Sequence, residues 1–562
     1  MTRSQPFNLS RVPQTITLAL CSLAAHAQTV TAPNAGQVLR ELQAPAPAVP
    51  NAVPAPRAEP TLDTTDTSTK VHVKSIVIIG NQEIPTSELT PLVSSLVDTE
   101  QSLSQLNTAA RRITAFYRAR GFAVARALLP AQDITSGVVT FTVIEGRVSS
   151  SRVSNKSRLP DALVGSYIGE VKPGDVIRSS QIDRGILLLQ DTPGIASSRA
   201  TLQPGASVGT SELLIEVTPA ALVSGNATLD NYGSRYTGEY RVGGNFALAS
   251  PLGRGDQLSF SALTSGSGLS FGRVAYQLPV GSDGLRVGAA YFDTRYKLGR
   301  EFAALEAQGS ANSASVFAAY PFIRSPVKNL SGTLSYESKN LNDKVNATAT
   351  VTDKKIGVTS LGLTGNLQDS FLGGGINSFD LTFVSGKLRI ASPAALAIDA
   401  ASAQTNGSYS RAAYGASRLQ RINNSTLIAI SLNGQQASKN LDSSEKFSLG
   451  GPTGVRAYPG GEAGGDEGYK ATLELRHSFT PAWQGTLFYD LGEVTINKRP
   501  FGAPTSPNKR ALAGAGVGVN ASIAAVQLKA SLAWRTHGGQ PTSIPASTAK
   551  TPTLWVQAVV AF

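Results

Sequence analysis

Few residues in this chain have the types and spacing that enzyme chemistry requires. There is no His-Glu-x-x-His zinc motif, and Gly386-Lys387 lacks the upstream glycine and the following Ser or Thr of a phosphate-binding loop. Of the four histidines, His72, His477 and His537 lie far apart in the sequence, so we expect no metal site. We therefore expect no cofactor and no catalytic residue, and a function in binding or transport is favoured.

The charged residues with the most distinctive surroundings lie in a glycine-rich stretch, residues 450–468. It contains the run Val455-Arg456-Ala457-Tyr458-Pro459 and, further on, the acidic pair Asp466-Glu467. Two adjacent carboxylates could bind calcium or act in catalysis, but a glycine-rich stretch favours a solvated loop, and we adopt that interpretation. Alternation of apolar and polar residues from Tyr469 to Phe479 predicts that a β-strand follows.

The composition excludes several classes of protein. The chain has 562 residues, 54 glycines and 16% charged residues, and it contains no run of eighteen apolar residues, so no transmembrane helix is expected. Its formal charge of +12 comes from basic residues scattered along the chain, and we expect no nucleic-acid partner. Arginines and lysines that line a wet pore would explain this charge and would favour acidic partners.

The N-terminus has the pattern of a secretory signal peptide over residues 1–27. Basic residues precede the apolar run Ile16 to Leu23, and Ala25-His26-Ala27 offers a cleavage site of small residues. The sole cysteine, Cys21, lies inside this segment. The mature chain would therefore have neither disulfides nor thiolate metal sites.

Residues 71–147 and 148–218 predict two small α+β domains with the same order of elements. The first begins with a strand from Val71 to Ile79 and continues through two helices to two further strands. Its second helix begins at Ser102 with the Ser-x-x-Gln spacing of a capping box. Small sheets of this kind leave an edge strand unpaired, and an extended polypeptide could add to such an edge through backbone hydrogen bonds.

From residue 219 to the C-terminus, alternating apolar and polar residues predict a transmembrane β-barrel. In Tyr469 to Arg476, for example, apolar side chains alternate with polar or charged ones, as expected of strands with lipid on one side and water on the other. A soluble sandwich also alternates, but here the pattern continues without interruption. At roughly 20 residues per strand and connection, the length suits about sixteen antiparallel strands. The apolar face of the last predicted strand ends with Val560 and Phe562.

These segments resemble the two-partner secretion transporters of the haemolysin secretion/activation family. Residues 71–147 resemble its polypeptide-transport-associated (POTRA) domain at Gly121-Phe122 and Val143-Ile144-Glu145-Gly146-Arg147, and the segment Lys439 to Gly451 also matches the family. The run Val455 to Pro459 resembles the family's Val-Arg-Gly-Tyr loop, which folds back into the pore. The resemblance implies an outer-membrane barrel of a Gram-negative bacterium, preceded by two POTRA domains in the periplasm.

The resemblance also implies roles for individual residues. Arg456 of the pore loop, residues 450–468, would bind Asp490 of the barrel-wall motif Phe488-Tyr489-Asp490-Leu491-Gly492, because an arginine and a carboxylate can form two parallel hydrogen bonds. Ala457 stands where the family usually has glycine, so it would be strained if the loop required a positive φ there. The terminal Phe562 implies recognition by the barrel-assembly machinery.

The segment before the POTRA domains fits the same family. Residues 28–43 can form a short helix, which in related transporters lies inside the barrel as a plug. Residues 44–70 have six prolines between Ala44 and Pro60 and would form an extended linker. A disordered leader is the alternative for residues 28–43.

The leading functional hypothesis is export of one secreted exoprotein. The POTRA domains would capture its N-terminal secretion domain, and the barrel, surrounded by outer-membrane lipid, would conduct the unfolded chain without nucleotide hydrolysis. An assembly factor that inserts other barrels is an alternative, since such factors share the arginine loop but usually carry more than two POTRA domains. A passive porin is a third possibility, although a porin needs no folded periplasmic domains.

Overall fold

The computed structural model describes residues 31–43, 70–169, 171–502 and 507–562. This part of the chain forms a short N-terminal helix, two α+β units and a closed β-barrel. The helix α1 (Ala35–Gln43) lies inside the barrel, where Val38 and Leu39 are buried against barrel side chains. The signal peptide predicted over residues 1–27, and all of the predicted linker except Lys70, lie outside the described residues.

The first α+β unit has two small sheets and one long helix. In the larger sheet the central strand β5 pairs in parallel with β2 and antiparallel with β4, while β1 and β3 pair separately. Its elements are β1 (Lys70–Val73), β2 (Ser75–Ile79), α2 (Thr86–Leu89), 3₁₀ turns at Thr90–Leu92 and Ser94–Leu96, β3 (Thr99–Ser102), α3 (Leu103–Ala119), β4 (Arg126–Leu128) and β5 (Val138–Ile144).

Local sequence explains where these elements begin and end. Ser102 and Gln105 form the predicted capping box at the start of α3. The first of the two predicted helices does not continue as one α-helix: α2 ends at Leu89, and a 3₁₀ turn that contains Pro91 follows it. Proline breaks the helix because its backbone nitrogen has no hydrogen to donate. On α3, the buried Tyr117 donates a hydrogen bond to Glu145 at 3.0 Å, and burial together with this bond raises the pKa of the Tyr117 phenol.

The second α+β unit has the same sheet layout, with β8 between a parallel β6 and an antiparallel β7. It contacts the barrel directly, because Arg324 forms two hydrogen bonds with the Asp191 carboxylate at 2.7 and 2.8 Å. The strand ends that face this unit are therefore the periplasmic ends. Its elements are β6 (Arg147–Asn155), α4 (Asp161–Ser166), α5 (Ser179–Gln190), β7 (Ile195–Pro204) and β8 (Thr210–Pro219).

Eighteen strands follow, and all but β20 and β21 close into an antiparallel barrel of sixteen, which confirms the predicted fold class. The strands are β9 (Val223–Asp230), β10 (Arg241–Ala249), β11 (Gln257–Thr264), β12 (Leu269–Val280), β13 (Leu285–Lys297), β14 (Ala307–Arg324), β15 (Lys328–Val345), β16 (Thr350–Asp369), β17 (Gly375–Ile390), β18 (Gly407–Arg421), β19 (Thr426–Ala437), β20 (Phe447–Ser448), β21 (Gly464–Gly465), β22 (Glu467–Ser478), β23 (Trp483–Thr495), β24 (Lys509–Ile523), β25 (Val526–His537) and β26 (Thr553–Ala561).

The barrel strands differ greatly in length around the circumference. β15 and β16 pair over eighteen residues, whereas β9 and β26, which close the barrel, pair over only five. The connections include α6 (Pro393–Ala400) and 3₁₀ turns at Arg300–Leu305, Asn346–Thr348, Phe371–Gly373 and Ala546–Thr548.

The two faces of the strands have the expected character. On the outer face, large apolar side chains such as Leu361 and Leu473 are more than half exposed, as lipid contact requires. On the inner face of β22, Glu474 and Arg476 form an ion pair at 2.7 Å. Apolar groups therefore face lipid, and charged groups face the lumen.

Candidate functional site

The connection between β19 and β22 folds into the barrel, and we call it the inward loop (residues 438–466). It is longer at its start than the predicted pore loop, residues 450–468, and ends earlier because Glu467 and Gly468 already pair in β22. The short strands β20 and β21 join its two limbs as a hairpin. Four of its hydrophobic residues are at most 1% exposed and pack on the barrel wall against Phe488, Val494, Leu512 and Ala533; they are Leu449, Val455, Ala457 and Tyr458.

The structure brings the predicted partners Arg456 and Asp490 together. Arg456 Nε and Nη2 donate to the two carboxylate oxygens of Asp490, each at 2.8 Å, and the Arg456 backbone N–H donates to Asp490 Oδ2 at 3.1 Å. The third guanidinium nitrogen donates to Glu474 Oε1 at 2.8 Å. The guanidinium carbon lies 3.4 Å from the centre of the Phe488 ring. Two carboxylates and an aromatic face thus fix one orientation of the arginine.

Hydrogen bonds from Tyr458 and to the backbone oxygen of Arg456 fix this part of the loop to the end of the barrel sequence. The Tyr458 hydroxyl donates to the backbone oxygens of His537 at 2.6 Å and Gly539 at 3.0 Å. Trp555 Nε1 donates to the Arg456 backbone oxygen at 2.8 Å. Arg456 therefore bonds the inward loop to β22 and β23 through its side chain and its backbone N–H, and Tyr458 and the Arg456 backbone oxygen bond it to β25 and β26.

Ala457 is not strained. Its φ is not positive, and the only residue other than glycine with a positive φ in this loop, residues 438–466, is Ala463, with φ of 53°. The Ala457 methyl group instead occupies space that a glycine on the wall leaves open, since a Cβ built on Gly514 would lie 2.5 Å from the Ala457 Cβ. An alanine fits the loop because the opposite position has no side chain.

The remaining predicted residues lie at three places. Gly492 shares the inward face of β23 with Asp490, and a Cβ there would lie 2.7 Å from Leu449 of the inward loop. Pro459 follows Tyr458 and lines a chamber on the extracellular side of the loop. Val560 and Phe562 lie far from the loop, on the outer face, with exposed fractions of 41% and 69%. The backbone of Phe562 pairs with Gly225 of β9 through two hydrogen bonds of 3.0 Å.

Several carboxylates that hold the inward loop were missed by sequence reasoning. The fully buried Glu445 binds Lys339 and Arg411, each at 2.9 Å, from two separate strands. Asp442 binds Lys354 at 2.7 Å. The signal that could have identified them is the pair of acidic residues in the segment from Lys439 to Gly451, which lies directly before the arginine run.

The interpretation of Asp466-Glu467 as a solvated pair was wrong for Asp466. This residue is fully buried, accepts hydrogen bonds from the backbone N–H groups of Leu441 and Lys498, and forms an ion pair with Lys446 at 2.7 Å. It holds the two limbs of the loop together. A glycine-rich composition does not by itself imply solvent exposure when the barrel encloses the loop.

Other candidate chemistry finds no geometric support in the described ranges. No group of three His, Cys, Asp or Glu side chains there could hold a metal ion. Two Gly-x-Ser-x-Gly stretches place Ser207 in the β7–β8 turn and Ser270 in β12, whereas a nucleophile elbow requires a strand-to-helix turn. Among these same residues, no helix has both the length and the apolar character needed to cross a membrane.

Comparison with protein families matches most of the folded chain. Residues 209–521 match the haemolysin secretion/activation protein ShlB/FhaC/HecB family, and residues 71–146 match the ShlB-type POTRA domain. Heme/hemopexin transporter protein HuxB of Haemophilus influenzae is 31% identical over 434 residues, which cover 75% of this chain and 76% of HuxB. Outer membrane transporter CdiB of Dickeya dadantii is 24% identical over 72% of this chain and 71% of its own.

Solved structures share the fold. CdiB from Escherichia coli superposes with a TM-score of 0.70 at 19% identity, covering 90% of this chain and 93% of CdiB. BamA from Haemophilus ducreyi lacking POTRA domains 1–3 gives a TM-score of 0.51 at 15% identity, covering 88% and 100%. With the family matches above, the chain belongs to the haemolysin secretion/activation family of two-partner secretion transporters, with a β-barrel in the outer membrane and an N-terminus in the periplasm.

Proposed function

We propose that this transporter holds its pore shut with the inward loop and α1, and that capture of one exoprotein in the periplasm leads to their displacement. The observation that carries the proposal is that both segments lie in the lumen and contact each other. A Cβ built on Gly36 of α1 would lie 2.3 Å from Ser443 Oγ of the loop. The Ala35 backbone N–H donates to Asp343 Oδ1 of β15 at 2.7 Å. On this proposal, α1 is the plug.

The first α+β unit offers a surface for the exoprotein. Val77 and Ile79 of β2 and Leu128 of β4 are 42 to 47% exposed, and β2 and β4 are the edge strands of their sheet. An extended polypeptide added to an edge would gain backbone hydrogen bonds and apolar contact together. We infer that the secretion domain of the exoprotein binds here, and that its folding outside the cell, not nucleotide hydrolysis, gives the transport its direction.

We also propose that Val560 and Phe562 are read by the barrel-assembly machinery. Their side chains face outward on the final strand, and the Phe562 backbone completes pairing with β9. Outer-membrane lipid would then surround this face. Removing Phe562 should lower the amount of folded barrel without changing Arg456 contacts in the molecules that do fold.

The primary test is quantitative proteomics of culture supernatant, cell surface and outer membrane from cells with and without the transporter. Loss of one large secreted or surface-retained polypeptide supports dedicated export. Depletion of many barrels would instead identify an assembly factor, and an unchanged proteome would leave only a passive pore. Because HuxB is a heme/hemopexin transporter protein, growth on heme–hemopexin is a second phenotype to score in the same strains.

A further inference from the structure

A chamber of about 920 Å³ lies at the extracellular end of the lumen, on the other side of the inward loop from the periplasm. Its lining comes from α1, the inward loop, the β9–β10 connection and the connection before β26. Seven of the lining residues are Arg or Lys and two are Glu. Three of the seven cations form ion pairs with carboxylates behind the lining, namely Arg235 with Glu301, Lys446 with Asp466 and Arg510 with Glu462. Seven cations against these five carboxylates leave the chamber with an excess of two positive charges.

Three of its arginines carry buried nitrogens without a hydrogen-bond partner in the described part of the chain. These nitrogens are Nε and Nη2 of Arg40, Nε of Arg510 and Nη1 of Arg535. The Ser543 hydroxyl on the same lining also has no partner among the described residues. Each arginine comes from a different element, α1, β24 or β25, so a single local distortion does not account for all of them.

Among the described residues, two of these arginines, Arg40 and Arg535, have no carboxylate as a hydrogen-bond acceptor, although Glu41 and Asp442 lie close enough to Arg40 to interact with its charge. Arg40 donates to the Ser443 backbone oxygen at 3.3 Å, and Arg535 donates to the Thr551 hydroxyl, both uncharged acceptors. Only Arg510 reaches a carboxylate, that of Glu462, at 3.1 Å. A guanidinium has five donors and no acceptor, and leaving buried charged donors unpaired is costly.

From this arrangement we propose that the chamber binds an oxyanion of the phosphate class through Arg40, Arg510 and Arg535. Water could fill a polar chamber, but water leaves the excess positive charge in place, whereas a phosphate supplies charge and several acceptor oxygens together. Arginine is suited to such groups because its planar fork binds two oxygens at once. Free phosphate and the phosphate groups of lipopolysaccharide are the two sources of this chemistry at an outer-membrane surface.

The test is isothermal titration of the purified full chain in detergent with inorganic phosphate, at constant ionic strength with chloride as the counter-anion. We expect saturable binding, and at least a tenfold higher apparent Kd in Arg535→Gln and in Arg40→Gln. Arg295→Gln is the matched control, because Arg295 lies near the extracellular end of β13, is 76% exposed and does not line the chamber. A second titration uses purified lipopolysaccharide micelles in place of phosphate.

The two titrations separate the sources. Saturable binding of phosphate alone assigns free phosphate, and chamber-dependent binding of lipopolysaccharide assigns its headgroup. If the wild-type chain binds neither phosphate nor lipopolysaccharide saturably, the proposal is overturned, whether or not the variants fold. An equal loss in Arg295→Gln also overturns it, because the effect would then reflect overall charge. Neither readout involves export, so the result stands apart from the proposed function.

Discussion

Replacing Arg456 with alanine should release the inward loop from the barrel wall. The change removes the two hydrogen bonds to Asp490 and the one to Glu474, each 2.8 Å long, and leaves Asp490, which is 1% exposed, without its cation. Removing one partner of a buried ion pair costs about 3–5 kcal/mol. A shift of about 3 kcal/mol toward the released loop would raise its population by roughly two orders of magnitude.

Cysteine labelling can measure this population. Thr453 of the inward loop is exposed to a lumen cavity of about 700 Å³, whose other lining residues include Asn329 and Asn366 near the periplasmic strand ends. Cys21 is the only cysteine and lies in the predicted signal peptide, so Thr453→Cys would be unique in the mature chain. A membrane-impermeant maleimide added to intact cells should label this cysteine slowly when the wild-type loop blocks access from outside. With Arg456→Ala, the same population estimate predicts labelling up to about 100-fold faster.

The control removes a similar ion pair that does not touch the loop. Arg418 holds Asp369 through two hydrogen bonds of 2.8 and 3.1 Å at the periplasmic end of the barrel. Arg418→Ala should therefore leave labelling at residue 453 unchanged. Equal labelling rates in the wild type and Arg456→Ala, with normal gel mobility of both barrels, would refute the reasoning, and normal exoprotein export would refute the proposed role of the arginine.

Three further predictions concern packing and ionisation. Gly36→Val should push α1 away from the inward loop and raise single-channel conductance in planar bilayers, whereas Gly460→Ala, where a Cβ meets nothing within 4 Å, should not. Gly514→Ala should collide with the Ala457 methyl group and reduce export, and adding Ala457→Gly should restore it. Because the pKa of Tyr117 is raised, its contribution to stability is complete below about pH 10 and is lost as the pH rises through the folded value. The rate at which a protease cleaves the first POTRA domain should therefore rise with alkaline pH in the wild type. In Tyr117→Phe, the part of this rise that comes from ionisation of the phenol should be absent.

The sequence correctly predicted those features that a local pattern of residues determines. Alternation along β22 gave the correct inward and outward faces, because the period of two is a property of any strand. The capping box at Ser102 was likewise readable from two residues. The closed barrel of sixteen strands followed from length and alternation, but the register of each strand pair did not, because it depends on contacts between distant segments.

The candidate site was only partly predictable for the same reason. The pairing of Arg456 with Asp490 came from resemblance, whereas Glu474, the second carboxylate on that arginine, lies on an adjacent strand and only its inward direction could be foreseen. The partners of Glu445 are Lys339 of β15, 106 residues upstream, and Arg411 of β18, 34 residues upstream. The position at which the loop enters the lumen determines which residues form these buried ion pairs. No local sequence pattern predicts that position.

The unequal strand pairing has a consequence for how the barrel comes apart. The five-residue pairing of β9 with β26 has far fewer backbone hydrogen bonds to break than the eighteen-residue pairing of β15 with β16. On heating in detergent, the strands should first separate between β9 and β26. The temperature at which the folded barrel's gel band shifts to the unfolded position should therefore depend more on this pairing than on the other fifteen. A disulfide placed between β9 and β26 should therefore slow thermal unfolding far more than the same crosslink between β15 and β16.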